Sequence, residues 1–271
     1  MNHRHVVVGC IGTLVYFLAG AHASAHDLWL VPPEKIEPKK PAIFRANSGS
    51  KFPKSDHAPD PAKFKRRILV RPDEKLGAFE AAGTEGKSGL LKIEPSGSGI
   101  YIVAVETEPK LITLGADEFN DYLVGDGLTH IYQLRRKEGT LDKPGRERYS
   151  KSPKAVVRVG TGGGGDPCRV VGLPLEIVPL KDPFALKAGD TLRVRVLFRD
   201  KPLPKANLGW DVPGDGDSPS GTVRTDKRGE ALVPIGQLGL MTIRLTHMTR
   251  PKTAGYEWES FWTTLTFRIP E

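Results

Sequence analysis

This sequence predicts an all-β protein of two sandwich-like domains, the C-terminal one immunoglobulin-like, with a short helix in the N-terminal half. Three observations lead there. Glycine and proline are abundant, at 30 and 23 of 271 residues. Long helical periodicity is scarce. Short β-rich runs recur between turn signals at 67–70, 99–107, 155–159, 173–178, 191–198, 221–225, 240–248 and 260–269, a spacing that belongs to sandwiches and not to a helix-alternating parallel sheet.

Taken in order, residues 1–25 read as a signal peptide. Arg4 supplies the basic start, Val6 to Leu18 the apolar run, and Ala23-Ser24-Ala25 the small-residue cleavage site. An N-terminal β-rich domain follows over 26–165. Its run Ile100-Tyr101-Ile102-Val103-Ala104-Val105 is continuously apolar, the pattern of a strand covered on both faces. Phe119, Tyr122 and Leu123 share one face at i, i+3 and i+4 and predict a helix that Gly125 ends. Residues 143–154 are charged and turn-rich and are expected to form a loop. The run of glycines from Gly162 to Gly165, before Asp166-Pro167, is expected to be a flexible linker. No Lys-Ser/Thr follows it in the phosphate-loop pattern. The C-terminal domain spans 166–271. Its run 192–198 alternates, as a strand with one buried face does. Asp215-Gly216-Asp217 lacks the later glutamate of a calcium loop and is expected to be a loop tip.

Charge and cysteine usage exclude several function classes. The formal net charge is +8, but the basic residues are spread out, and short clusters such as Arg135-Arg136-Lys137 are expected to be solvated faces. No recognition helix or stacking motif points to nucleic acid; the charge supports a weak attraction to acidic envelope polymers. After residue 25 no apolar run approaches the ~20 residues of a membrane helix, so the mature chain is expected not to span a membrane. Cys10 falls within the signal, so Cys168 is left without a disulfide partner and is expected to be a small, half-buried residue at a strand start.

Cleavage after Ala25 makes His26 the first mature residue. Its α-amine and ring Nδ1 then form a chelating pair for one metal ion, and the amine's pKa of about 7.7–8.0 eases deprotonation. Cleavage after Ala23 instead leaves Ser24-Ala25-His26, a start that favours square-planar Cu(II) or Ni(II). Four histidines follow the signal: His26, His57, His130 and His247. His57 lies in a polar loop free to fold over an N-terminal strand, and His247 sits in a late strand. His26, His57 and His247 are therefore the expected metal ligands, for Ni, Co or Cu. Nothing but residue type brings His130 to them.

Several segments together resemble a known family. They are His26-Asp27-Leu28-Trp29-Leu30-Val31-Pro32, Glu118-Phe119-Asn120-Asp121-Tyr122-Leu123, Arg146-Glu147-Arg148-Tyr149-Ser150-Lys151, Gly172-Leu173-Pro174-Leu175-Glu176-Ile177-Val178-Pro179 and Trp258-Glu259-Ser260-Phe261-Trp262. In order and over nearly the whole mature chain, they resemble the exported bacterial proteins grouped as domain of unknown function 4198, described in part as periplasmic components of nickel and cobalt uptake systems. The resemblance implies a periplasmic, β-rich protein with nickel or cobalt binding attached to some members, and a membrane metal-uptake permease as partner. Of this chain's residues, it carries over to His26 and His247. The absence of a histidine run argues against high-capacity metal delivery.

Two further readings stand beside the metal-binding accessory protein. One is a non-metal envelope module holding protein or glycan. The other is a copper-dependent oxidative enzyme, which would need a flat aromatic face such as Trp258 and Trp262 could supply from one side of a strand. G-x-S-x-G and H-E-x-x-H are lacking, so the protein is not expected to be an enzyme.

Overall fold

The computed structural model describes residues 26–214 and 220–270. The expected signal peptide and the expected loop tip at Asp215-Gly216-Asp217 lie outside the described residues. The protein is all-β, with sheets stacked as sandwiches. The first sheet runs β1-β2-β6-β5, from β1 (Asp27–Val31), β2 (Ala42–Gly49), β5 (Glu80–Glu85) and β6 (Ser88–Ile93).

The second sheet has ten strands: β3 (Phe64–Val70), β4 (Leu76–Gly77), β7 (Gly99–Thr107), β8 (Lys110–Leu114), β9 (Gly145–Lys151), β10 (Lys154–Val159), β14 (Asn207–Asp211), β15 (Gly221–Arg224), β17 (Gly239–Thr249) and β18 (Trp258–Ile269). Its order is β15-β14-β17-β18-β10-β7-β3-β4, with β9 also on β18 and β8 on β9. The third sheet holds β11 (Leu175–Pro179), β12 (Thr191–Phe198), β13 (Lys201–Pro202) and β16 (Glu230–Pro234). It faces β14, β17 and β18 across Leu192, Val194, Ile243 and Phe267, the two-sheet packing of an immunoglobulin-like sandwich.

The apolar run in β7 has a direct physical explanation. Ile100, Ile102 and Ala104 point into the core shared with the third sheet, whereas Tyr101, Val103 and Val105 point into the core shared with the first sheet. A strand alternates its side chains between faces, so a strand covered twice must be apolar at every position. By contrast β12 buries Leu192, Val194 and Val196 and exposes Thr191 and Arg193, as its alternation predicts.

Strands from both sides of the glycine segment share the ten-stranded sheet. β10 and β9 both pair in parallel with β18. The segment itself is docked: the Ile100 amide donates to the Gly164 carbonyl at 2.8 Å. A Cβ at Gly163 would lie 2.3 Å from the Ser98 carbonyl oxygen, at φ +83°, so only glycine fits that close approach.

Two expectations need correction. Most of residues 143–154 is strand and not a loop: β9 fills Gly145–Lys151 and β10 begins at Lys154. The charges Arg146 and Arg148 hid the strand, because the opposite face, with Glu147 and Tyr149, turns inward and Glu147 is buried. The basic stretch at 135–137 lies in a second helix. The expected helix is α1 (Ala116–Gly125), and α2 (Thr129–Glu138) follows it. Arg135 is not solvated: it is buried with its guanidinium 4.8 Å over the Phe119 ring and donates to the Thr140 and Lys143 carbonyls. Gly139, left-handed at φ 64°, closes α2 after its basic last turn, a C-terminal signal readable in the sequence. The hairpin packs Phe119, Leu123 and Ile131 on Met248 and Trp258 at one end of the middle sheet.

Candidate functional site

His26 immediately precedes β1, which pairs with β2 from Asp27↔Gly49 to Val31↔Arg45. The chain then loops through residues 50–60 and brings His57 back onto Ser48 by an isolated antiparallel bridge. Polar contacts pin this loop. Trp29 Nε1 and Asn47 Nδ2 donate to the Pro53 carbonyl at 3.2 and 2.7 Å, the Ser48 amide donates to Ser55 Oγ at 2.8 Å, and the Asp56 amide donates to the Ser48 carbonyl at 2.8 Å. At Gly49 a Cβ would stand 2.9 Å from Asp56 Oδ2, so the missing side chain lets the loop close.

The result is a pair of imidazoles. The His26 and His57 ring centroids are 5.4 Å apart, edge to face. His26 Nε2 lies 3.2 Å from Asp56 Oδ2; as a neutral ring it donates there, which leaves Nδ1 as the unprotonated nitrogen. Desolvation lowers the pKa of His26, against the pull of Asp56, and desolvation followed by repulsion from His26 and Lys151 lowers that of His57. Both rings are therefore neutral at pH 7, with lone pairs free to coordinate.

Behind the pair lies a buried polar network that the sequence did not disclose. Asp27 is buried and pairs with Arg244 Nη1 at 3.1 Å, while Arg244 Nε donates to Asp211 at 2.9 Å. Lys151 Nζ donates to the His26 carbonyl and sits 5.3 Å over the Trp262 ring; burial lowers its pKa to about 8. Glu147 accepts from Ser260 Oγ and, at 3.3 Å, from the Tyr122 hydroxyl. Burial raises Glu147 to about 7, and burial with repulsion from Asp27 raises Asp126 to about 7. Only Asp56, adjacent to His57, could have been suspected from sequence; Asp27, Glu147, Lys151 and Arg244 come together through sheet pairing, and Asp126 joins them from the C-terminal end of α1.

The third expected ligand is elsewhere. His247 packs its ring 4.6 Å from that of Phe198, and its pKa falls to about 4 through burial and then the proximity of His130 and Arg199. No contact joins it to His26, which instead meets Asp56, Asp27 and Lys151. β17 turns His247 toward the third-sheet side at Phe198, whereas Arg244, three residues earlier, reaches Asp27. Of the described histidines, the one near it is His130. Among the described residues no group of three His, Cys, Asp or Glu side chains is arranged to hold a metal. The fit therefore depends on a third nitrogen from the backbone, which the His26 amine would supply after cleavage at Ala25.

Cys168 lies in a turn, not at a strand start. Burial and then Asp166 raise its thiol to about 11, so at neutral pH it is no thiolate ligand. Trp258 and Trp262 are buried, Trp258 beside Phe119 and Trp262 stacked on Tyr122. They form no exposed aromatic face.

Residues 23–249 match the family described as "Domain of unknown function (DUF4198)". The match covers most of the chain, which therefore belongs to that family. No curated protein matches it. Among solved structures, the chain is similar to the D0-D1 domain of Intimin at 11% identity, covering 89% of this chain and 97% of that one with a TM-score of 0.20. A second is trypsin-activated alpha-2-macroglobulin from Escherichia coli, at 12% identity, covering 90% of this chain and 18% of that one with a TM-score of 0.22. No helix among the described residues is long and apolar enough to cross a membrane.

Proposed function

We propose that this is an exported, periplasmic transition-metal-binding accessory protein, linked to nickel or cobalt uptake and working with a membrane permease. The observation that carries the reading is the His26–His57 pair with Asp56 on His26 Nε2. A metal-bound histidine usually donates its other ring nitrogen to a carboxylate, which fixes the tautomer and strengthens the ligand. Here that carboxylate is in place, and Nδ1 is the nitrogen that can close a chelate with the amine of the same residue.

The ligand set is the His26 amine, His26 Nδ1 and His57, a nitrogen set suited to Ni, Co or Cu. Cleavage after Ala25 gives this set, and the closeness of His57 favours it over the cut at Ala23, whose square-planar chelate has no use for a second imidazole.

Calorimetric titration of Ni(II), Co(II) and Cu(II) into protein starting at His26 tests the reading. One metal should bind per chain, more weakly below pH 6.5 because the nitrogens must first lose protons. An added N-terminal methionine or His57→Ala should each weaken binding at least about tenfold, the equivalent of ~1.4 kcal/mol; His247→Ala and His130→Ala should not. Equal affinity for native and extended N-termini would reject the chelate and leave the envelope-module reading.

A further inference from the structure

A groove of about 690 Å³ opens beside the histidine pair, with His57 in its wall. Its floor includes Lys151, Tyr149 and Leu28, and Lys63, Lys65 and Lys110 stand around it. Four lysines thus face two lining carboxylates, Asp60 and Glu108. Lys63 is held by Asp60 at 3.4 Å, and Lys65 by the buried Glu106 at 2.6 Å. Lys110 and Lys151 have no carboxylate within ion-pair distance among the described residues, and both line this same groove. Two like charges held beside one cavity are relieved by an anion placed between them. The size falls in the range of small-molecule sites. The cations are spread along the groove and not gathered at one point, so they suit a molecule with several acidic groups better than a single compact anion.

We propose that this groove binds a small polycarboxylate, and that the metal reaches His26 and His57 as the chelate of that molecule. This rests on the metal-binding reading above. Lys110 and Lys151 hold carboxylates that do not ligate the metal, while His57, in the same wall, takes the metal itself. Three protein nitrogens leave coordination positions open, and carboxylate oxygens facing the groove can occupy them.

The test uses protein starting at His26, with Ni(II) and citrate as probes. Ni(II) titrated alone reports the histidine site; if it fails to bind, the metal reading has failed, whatever citrate does. Citrate titrated into the nickel-loaded protein should bind without removing nickel, seen as a shifted d–d absorption band at unchanged metal content. Lys110→Ala should weaken citrate binding about tenfold, the loss of one charged contact, yet change Ni(II) affinity less than about twofold on the same scale. Lys187→Ala, an exposed lysine elsewhere, should change neither. Three results would overturn the proposal: citrate stripping the nickel, Lys110→Ala leaving citrate affinity unchanged, or inorganic phosphate binding as tightly as citrate.

Discussion

Two polar groups of His26 are assigned before any metal arrives, Nε2 to Asp56 and the carbonyl to Lys151. The same economy does not hold for Asp126, which keeps one hydrogen bond, from Thr246 Oγ1 at 3.1 Å, beside the buried Asp27. Its pKa is near 3.8 unfolded and about 7 folded. Between those values the folded state holds a proton that the unfolded state has released, so stability is greatest at low pH and is lost as pH rises toward 7. Asparagine keeps the acceptor and cannot ionise. The advantage of Asp126→Asn over wild type should therefore grow by about 2 kcal/mol between pH 5 and pH 8, discounted for partial solvent access. Denaturant melts at the two pH values check this; a constant difference would contradict the raised pKa of Asp126. His247 works in the opposite direction, since a histidine held neutral down to about 4 loses stability as pH falls below 6.5. Comparing Asp126→Asn with wild type at each pH cancels that contribution.

Elements were legible in the sequence where burial and periodicity agree. β7, β12, β17 and β18 stand close to their expected positions because each turns one apolar face into the core shared by the middle and third sheets. β9 and α2 were missed because each buries a charged residue, Glu147 or Arg135, whose partners are supplied by other elements. Of the candidate site, His57 was legible as a residue of a loop able to fold over β1, while His247 shows that a strand position by itself does not say which face a side chain takes. One contact between elements gives a sharp prediction. Gly145, at the start of β9, faces the Phe119 ring of α1, and a Cβ there would come within 2.4 Å of it. Gly145→Ala should therefore displace α1 and destabilise the protein by about 1–3 kcal/mol, a loss of Tm that Phe119→Leu, by making room, should partly restore in the double variant. Absence of such rescue would place the damage elsewhere.

Across the whole molecule, the middle and third sheets are joined by a fully buried ion pair. Lys154 of β10 donates to Glu176 of β11 at 2.6 Å, with both side chains 1% exposed. Glu176 also accepts from the amides of Val171, Gly172 and Leu173. Lys154→Met leaves that carboxylate charged and unpaired and should cost about 3–5 kcal/mol. Replacing both residues, as Lys154→Met with Glu176→Leu, removes the charge but orphans three amides, so the double variant should remain below wild type. Chemical denaturation of the three proteins decides it; full recovery would mean that the amides find water. The sequence could not announce this pair, since nothing in residues 22 apart marks them as neighbours across two sheets.

β18 follows every other described strand in the chain, yet it lies inside the middle sheet, with β17 along one edge and β9 and β10 along the other. Thr264 in it donates to the Leu28 carbonyl of β1 at 2.8 Å across 236 positions of sequence. A ribosome delivers β1 long before β18, so the early strands must wait, their central slot vacant, until residue 269 has emerged. The cradle of Lys151 and Trp262 behind His26 is consequently among the last parts to assemble, and a nascent chain interrupted before residue 258 would carry the histidines without the wall that holds them. Such a long wait favours slow folding, and it leaves the strands that precede β18 loose until it arrives.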